Sequence, residues 1–456
     1  MKHFPSTRLW LSALVLLAFT ASIQAAQPQR AVLLISIDGL HPSYLIDAEK
    51  HGVKAPVLRE FVSQGAYASG VVNVTPTVTY PNHIALVTGV SPREHGIYTN
   101  TVFDPEGVEK GAWNWYGAQI KSPTLWGAAK ARGLTTASVL WPVSVAHPSI
   151  DYNMPEYWRV KQPSDNYLLN AVSTPRGFLE SIGNLGAIFG SASHEDGSAF
   201  DGKLADIAVA MIEKAQPHFL TVHIVGLDSV QHANGPLPTN NESREMLEKL
   251  DALIGRMIAA QRKAHPDAVI AIASDHGFLP FNATVNLNAA FAKAGLIELG
   301  SDGKLKSWQA YSWNSGGSAS VVLKDPNDKV TLEAVNQILT ALAADAKTGI
   351  ASVLRGAEAA AAGAPPQASF LVDCNSGFAM GEALTGEVVQ PRAGTAGMHG
   401  YRNTHPEMNS AFFVMGPGIK AGKNLGTIDI RQIAPTLAQE LGVQLPTATM
   451  PPLPLR

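Results

Sequence analysis

At 456 residues the chain is too long for one simple core, which calls for one large domain with insertions or for two domains. Hydrophobic residues make up 46% of it, which excludes wholesale disorder; a formal net charge of -3, from 34 basic and 37 acidic residues, excludes a global attraction to nucleic acid or acidic membranes. Any anion bound here must be held locally.

In chain order, the first feature is an N-terminal stretch with Lys2 and Arg8, an apolar run from Leu9 to Thr20, and small residues at Ala25 and Ala26. It reads as a cleavable signal peptide over 1–26, too short for a comfortable membrane span. No later segment approaches 18 uninterrupted apolar residues, so no stable membrane anchor is expected. The one cysteine, Cys374, can form no intramolecular disulfide and reads as an inert, partly buried thiol. A signal without disulfides points to a periplasmic or secreted bacterial protein.

Short β-branched runs then follow at 31–37, 136–141, 219–227, 268–274 and 410–416, each reading as a buried parallel strand. Helical patterns lie between them, as in KLADIAVAMIEKAQ and ESREMLEKLDALIGRMIAAQRKA. The alternation predicts a doubly wound α/β fold, a mostly parallel sheet with helices on both faces. Two stretches break the rhythm. Residues 142–200, rich in Pro, Ser, Asn and aromatics, read as an irregular segment over the site. Residues 280–395 carry their own strand and helix signals and read as an inserted, smaller α+β subdomain. The catalytic core is then 27–279 plus 396–445, with 446–456 an extended tail.

Three apolar runs end in aspartate: Asp38 after the first, Asp228 after the third, Asp275 after the fourth. In an open parallel sheet ligands bind outside the carboxyl ends of the strands, so these three carboxylates converge at one edge. His232 lies four residues after Asp228, on the same face of a helical turn, and His276 adjoins Asp275. His399, in the glycine-rich GTAGMHGYRNTHPEM, is a further candidate. Carboxylate oxygen mixed with neutral imidazole suits Zn2+ first, with Mn2+ or Fe as alternatives, and six such ligands suffice for two ions. His41, His218, His265 and His405 are assigned to structure.

The segment VTPTVTYPNH, residues 74–83, holds Thr75, Thr77 and Thr79 ahead of a predicted helix that Pro81 can open. A hydroxyl at that helix mouth sees the positive end of the dipole and free N–H groups, a seat for phosphate. Beside a two-metal constellation, it is a candidate nucleophile.

Asp38 in ISIDGL, the TYPNH segment, DSVQH, SDHG and MHGY together resemble, in order from about residue 31 to about 440, the nucleotide pyrophosphatase/phosphodiesterase branch of the alkaline phosphatase superfamily. The resemblance implies the alkaline-phosphatase-like fold and a two-zinc hydrolase of small-molecule phosphate esters, with Thr79 as nucleophile. Asp38, Asp275 and His276 would hold the ion that also touches Thr79; Asp228, His232 and His399 would hold the second. Asn100 would contact the phosphate and Tyr80 the substrate, leaving Thr75 and Thr77 to an extended lead-in. Two divalent ions about 4 Å apart can clamp the attacking and departing oxygens, and coordination makes a threonine alkoxide accessible at neutral pH. A phosphothreonine would form and be hydrolysed with net retention at phosphorus.

One departure bears on the substrate. Where the nucleotide-cleaving branch places a stacking tyrosine five residues before the DxxxH aspartate, this chain has His223. A nucleoside, a glycerol- or choline-type head group or an aryl group therefore all remain candidates for the esterified alcohol. The alternatives to a phosphodiesterase are a phosphomonoesterase or a phosphonate hydrolase. Monoesterase relatives add cations over the phosphate; here the local pair is Arg159 and Lys161, read as surface charges. No nucleic-acid scaffold binding is expected, and the oligomeric state is left open.

Overall fold

The computed structural model describes Met1 and residues 29–109, 112–182, 188–189, 197–238 and 240–456. The expected signal peptide lies, apart from Met1, outside the described residues, as does part of the irregular segment 142–200. Among the described residues no helix is long and apolar enough to cross a membrane.

Eight strands form the main sheet, in the order Lys423–Asn424, Ala66–Tyr67, Phe412–Met415, Val269–Ala273, Val32–Ile37, Phe219–Ile224, Thr136–Val139, Tyr152–Met154. The central strand Val32–Ile37 is wholly buried and pairs in parallel with Phe219–Ile224 on one side and Val269–Ala273 on the other. Its side chains alternate between two cores, as the strand period requires. Leu33, Ile35 and Ile37 pack with the helices Gly197–Ala215 and Asn241–Ala264; Val32 and Leu34 pack with Thr79–Thr88, Leu125–Ala131 and Ile433–Leu441. This is the expected doubly wound α/β sheet with helices on both faces.

The run at 410–416 departs from expectation. It forms the strand Phe412–Met415, but antiparallel to both Val269–Ala273 and Ala66–Tyr67. The reason is connectivity. A parallel neighbour must be reached by a crossover back to the amino edge, whereas this strand is entered directly from the loop that carries His399, at the carboxyl edge.

Within 280–395 a separate four-stranded antiparallel sheet forms in the order Ala310–Asn314, Ser318–Leu323, Ala368–Cys374, Ile350–Arg355, with its own core around Phe291, Val321 and Phe370. The helix Lys329–Ala344 is capped by Asp328, whose carboxylate accepts from the N–H groups of Val330 and Thr331. Cys374 is buried there, and burial pushes its thiol pKa up. The C-terminal tail is extended, with Leu453 and Leu455 buried against the main core.

The loop 399–409 is tied to both layers. Thr77 Oγ1 donates to the Tyr401 carbonyl at 2.9 Å and accepts the Gly400 N–H at 3.1 Å, while Thr75 Oγ1 accepts the Asn403 N–H at 3.1 Å. On the other side His405 Nε2 lies 2.8 Å from Asp373 Oδ2 in the inserted sheet, and Asp373 Oδ1 accepts the Arg402 N–H. The lead-in threonines are therefore pins for a loop more than 320 residues away.

Two outcomes are expected. Thr77→Val should cost about 1 kcal/mol and speed amide exchange at Gly400, read by mass spectrometry. The hydrogen bond to Asp373 is the main cause of a raised His405 pKa, against the opposing effect of burial. That contribution is complete while His405 is protonated in both states and fades as pH rises through the folded value. His405→Ala should thus lose about 1 kcal/mol near pH 5.5 and less at pH 9, measured by thermal midpoints.

Candidate active site

The register puts Ser36 opposite both His223 and Ala273, so the chain leaves three neighbouring strands at the same edge. There Gly39, with φ of 73°, makes a turn a Cβ would obstruct: an added methyl would sit 2.6 Å from the Phe278 ring and 2.7 Å from Gln231 Nε2. The turn aims Asp38 across the edge, and the Gly39 N–H donates to Asp275 Oδ1 at 3.2 Å. Asp228 stands differently from the other two. It is the third residue of the helix Gly226–Asn234, whose first N–H groups are capped by the buried Asp201 carboxylate, at 3.1 Å from Val225 N and 2.8 Å from Gly226 N.

The six candidate ligands come together. Asp38, Asp275 and His276 offer donor atoms within 4.8 Å of one another, and so do Asp228, His276 and His399. His276 is thus shared between the two sets. His232 joins through Asp228, 3.4 Å away, with its ring centroid 5.0 Å from that of His399. The rings of His276 and His399 stack at 3.7 Å. Thr79 begins the ten-residue helix Thr79–Thr88 and lines the same cavity as Asp38 and Asp228. The turn ahead of it is braced by Asn82, whose Oδ1 accepts the Val74 N–H and whose Nδ2 donates to the Val78 carbonyl, both at 2.9 Å. Asn100 is held at the same helix start, its Oδ1 accepting the Tyr80 N–H at 2.8 Å.

The electrostatics suit cations. Burial, and then the neighbouring carboxylates, raise the pKa values of Asp38 and Asp275. Burial also works against ionisation of Asp228, but His232 beside it prevails and holds that carboxyl below the usual range. Burial, followed by the charge of other histidines, lowers His276, and His399 to about 4, keeping both imidazoles neutral and fit to ligate. Asp38 Oδ1, Asp228 Oδ1, Asp275 Oδ2 and His276 Nε2 are buried without a hydrogen-bond partner among the described residues. Clustered unpartnered donor atoms of this chemistry fit a pair of divalent ions.

Several side chains play parts the sequence left unassigned. His223 is no stacking wall: it is buried, with Nε2 2.9 Å from Asp38 Oδ2 and Nδ1 3.2 Å from the Leu140 carbonyl. The signal was an ionisable side chain inside an apolar strand. His83 packs 4.2 Å from the His223 ring, with Nδ1 2.8 Å from the Thr79 carbonyl. Tyr80 is fully buried and meets Trp113 edge-on at 5.3 Å. Lys161 and Arg159 are exposed, as surface charges are, yet Lys161 also lines the cavity, with Nζ 4.4 Å over the Trp158 ring. His41 is spent on Ser43, 2.8 Å away, and His265 on the Gln216 carbonyl.

The cavity is about 490 Å³ and is walled by Tyr80, Trp113, Trp158 and Phe200 besides the acidic edge. Glu156, just beyond the edge strand Tyr152–Met154, also lines it. Burial pushes this carboxyl up to about 7. Nothing in the sequence of the irregular segment singled Glu156 out.

Comparison with known proteins supports the reading of the motifs. Residues 32–402 match the family model described as type I phosphodiesterase / nucleotide pyrophosphatase. The human ectonucleotide pyrophosphatase/phosphodiesterase family member 1 is 28% identical over 256 residues, 54% of this chain and 23% of that protein. The bis(5'-adenosyl)-triphosphatase ENPP4 of Pongo abelii is 26% identical over 249 residues, 54% of this chain and 47% of that protein. The matched stretch is thus less than half the length of either relative. Among solved structures, human ectonucleotide pyrophosphatase/phosphodiesterase 5 shares the fold with a TM-score of 0.65 at 19% identity, over 93% of this chain and 96% of that one. An inactive threonine-to-alanine form of the murine protein, in complex with AMP, gives 0.63 at 18% identity, over 91% and 96%. With a family model matching from the central strand Val32–Ile37 through the loop after His399, the chain belongs to the type I phosphodiesterase / nucleotide pyrophosphatase family.

Proposed function

We propose that this protein hydrolyses phosphodiester or diphosphate bonds of small molecules, nucleotides among them, with Thr79 as nucleophile and a phosphothreonine intermediate. The observation that carries the reading is the pair of overlapping ligand clusters with unpartnered donor atoms, one carboxylate of each, Asp38 and Asp228, lining the same cavity as a threonine at a helix N-terminus. Asp38, Asp275 and His276 would hold one Zn2+ and Asp228, His232 and His399 the other; Mn2+ or Fe would fit the same donor set. When bound, the ions supply the positive charge that lowers the pKa of a coordinated hydroxyl and stabilises charge on phosphoryl oxygens.

The chain's own residues do the rest. Thr79 loses its hydroxyl proton and its Oγ1 attacks phosphorus, while the bond to the departing oxygen breaks in line. The proton lost by Thr79 ends on the departing oxygen; water then attacks the phosphothreonine from the vacated side, the Thr79 Oγ1–phosphorus bond breaks to release the phosphate product, and a proton of that water ends on Thr79 Oγ1. Two inversions give retention. The helix N-terminus favours the anion, and Asn100, fixed through the Tyr80 N–H, orients the phosphate from the same end. His223 holds Asp38 in its orientation from behind, as outer partners of metal ligands do.

One observation favours a second reading. Lys161 lines the cavity and could neutralise the extra charge of a phosphomonoester.

Zinc-loaded protein should be compared on bis(p-nitrophenyl) phosphate, a nucleotide diester and p-nitrophenyl phosphate. Thr79→Ala should cut diester turnover at least ~1,000-fold; equal turnover would sink the nucleophile assignment. A preference for the monoester that Lys161→Ala abolishes would establish the second reading instead. His223→Ala should weaken metal retention roughly 10- to 100-fold in a chelator competition, and unchanged retention would remove His223 from its positioning role.

A further inference from the structure

Outside the two ligand clusters, buried acids in this fold are normally occupied. Asp201 accepts two backbone N–H groups, and Asp251 accepts the Leu58 N–H at 2.7 Å. Glu156 is different. Its residue is 5% exposed, yet neither carboxylate oxygen completes a hydrogen bond among the described residues: Oε2 is closed off from solvent, which leaves Oε1 as the acceptor on the cavity side, and no ion pair with Lys or Arg is formed there. The carboxyl lies against the Tyr80 hydroxyl, itself without a completed bond, and Lys161 is close enough to act on it only through its charge. A buried carboxyl with a free oxygen costs stability unless something else uses it. What it faces is the substrate cavity, between the aromatic side chains of Tyr80, Trp113 and Trp158.

We infer that Glu156 is a specificity-determining residue: its free oxygen accepts a hydrogen bond from a nitrogen-borne donor on the group esterified to the substrate phosphate. This inference rests on the phosphoester reading above and narrows it. The flat aromatic walls favour a heteroaromatic ring presenting an amino or ring N–H, as nucleobases do. The amine of a small amino alcohol offers the same donor without the ring. A plain aryl group offers none and leaves the carboxyl desolvated and unpaired, which is how a buried acceptor discriminates. The place vacated by a stacking tyrosine at His223 makes such an edge contact the more valuable, because recognition through ring faces alone is weaker here.

The test uses zinc-loaded, full-length Thr79→Ala protein, so that ligands are bound without turnover, and reads dissociation constants by calorimetry. Cytidine 5'-monophosphate presents an exocyclic amine, phenyl phosphate a ring without a donor, and phosphoethanolamine an amine without a ring. Cytidine 5'-monophosphate is expected to bind about tenfold tighter than phenyl phosphate. Adding Glu156→Leu should collapse that ratio about tenfold, and Glu156→Gln, which keeps an acceptor oxygen, should retain part of it. A Glu156-dependent preference for phosphoethanolamine supports the same residue and assigns the amino alcohol as its ligand. Parallel weakening of all three ligands, or a ratio that neither substitution alters, overturns the inference. Hydrolysis of bis(p-nitrophenyl) phosphate by the wild-type chain tests the underlying reading separately.

Discussion

Three carboxylates held within reach of one another, two buried and one partly buried, are the constraint around which the rest of this protein is arranged. Asp38, Asp275 and Asp228 repel, and burial removes the water that would screen them. Histidines surround them, but burial lowers His276 and His399 toward the neutral form, so imidazole alone cannot balance the charge. A group of acids and imidazoles with unpartnered donor atoms is chemically suited to receive cations. The two cores on either side of Val32–Ile37 supply the rigidity that holds it there.

Each carboxylate is positioned by a different device, and the devices interlock. Asp38 is aimed by the Gly39 turn and by His223; Asp275 is met by the Gly39 N–H; Asp228 rides on a helix whose mouth Asp201 caps. His399 comes from a loop pinned to the lead-in of the helix Thr79–Thr88 by Thr77. The segment that carries Thr79 and the loop that carries His399 therefore share a hydrogen-bonded seam, and the geometry of one depends on the other. The three threonines that precede the helix divide their work accordingly, two holding the loop and one reaching the cavity.

Much of the site was legible because strand ends announce themselves. Asp38 and Asp275 follow β-branched runs, and a carboxyl edge is where an open parallel sheet binds ligands. Asp228 and His232 were legible through their spacing of four, which reads as one face of a helical turn, although it took the structure to show Asp228 already three residues into that helix. The reversed strand Phe412–Met415 was not legible, since a continuous apolar run has the same pattern in either direction. Glu156 was not legible either. It lies in an irregular stretch with no period, where an acid reads as solvent-facing, and only the fold of that stretch turns it inward among aromatic rings.

The sequence by itself determined the alternation of strands and helices, the family motifs and the ligand chemistry, because periodicity and residue type are local properties. Tertiary structure alone decided which ligands stand together, that His276 belongs to both clusters, that His223 serves Asp38, and that Glu156 faces the cavity. Those are relations between residues up to 361 positions apart, from Asp38 to His399, set by sheet register and loop pinning. Such distances close only when the hydrophobic cores on both faces of the sheet pull the chain together.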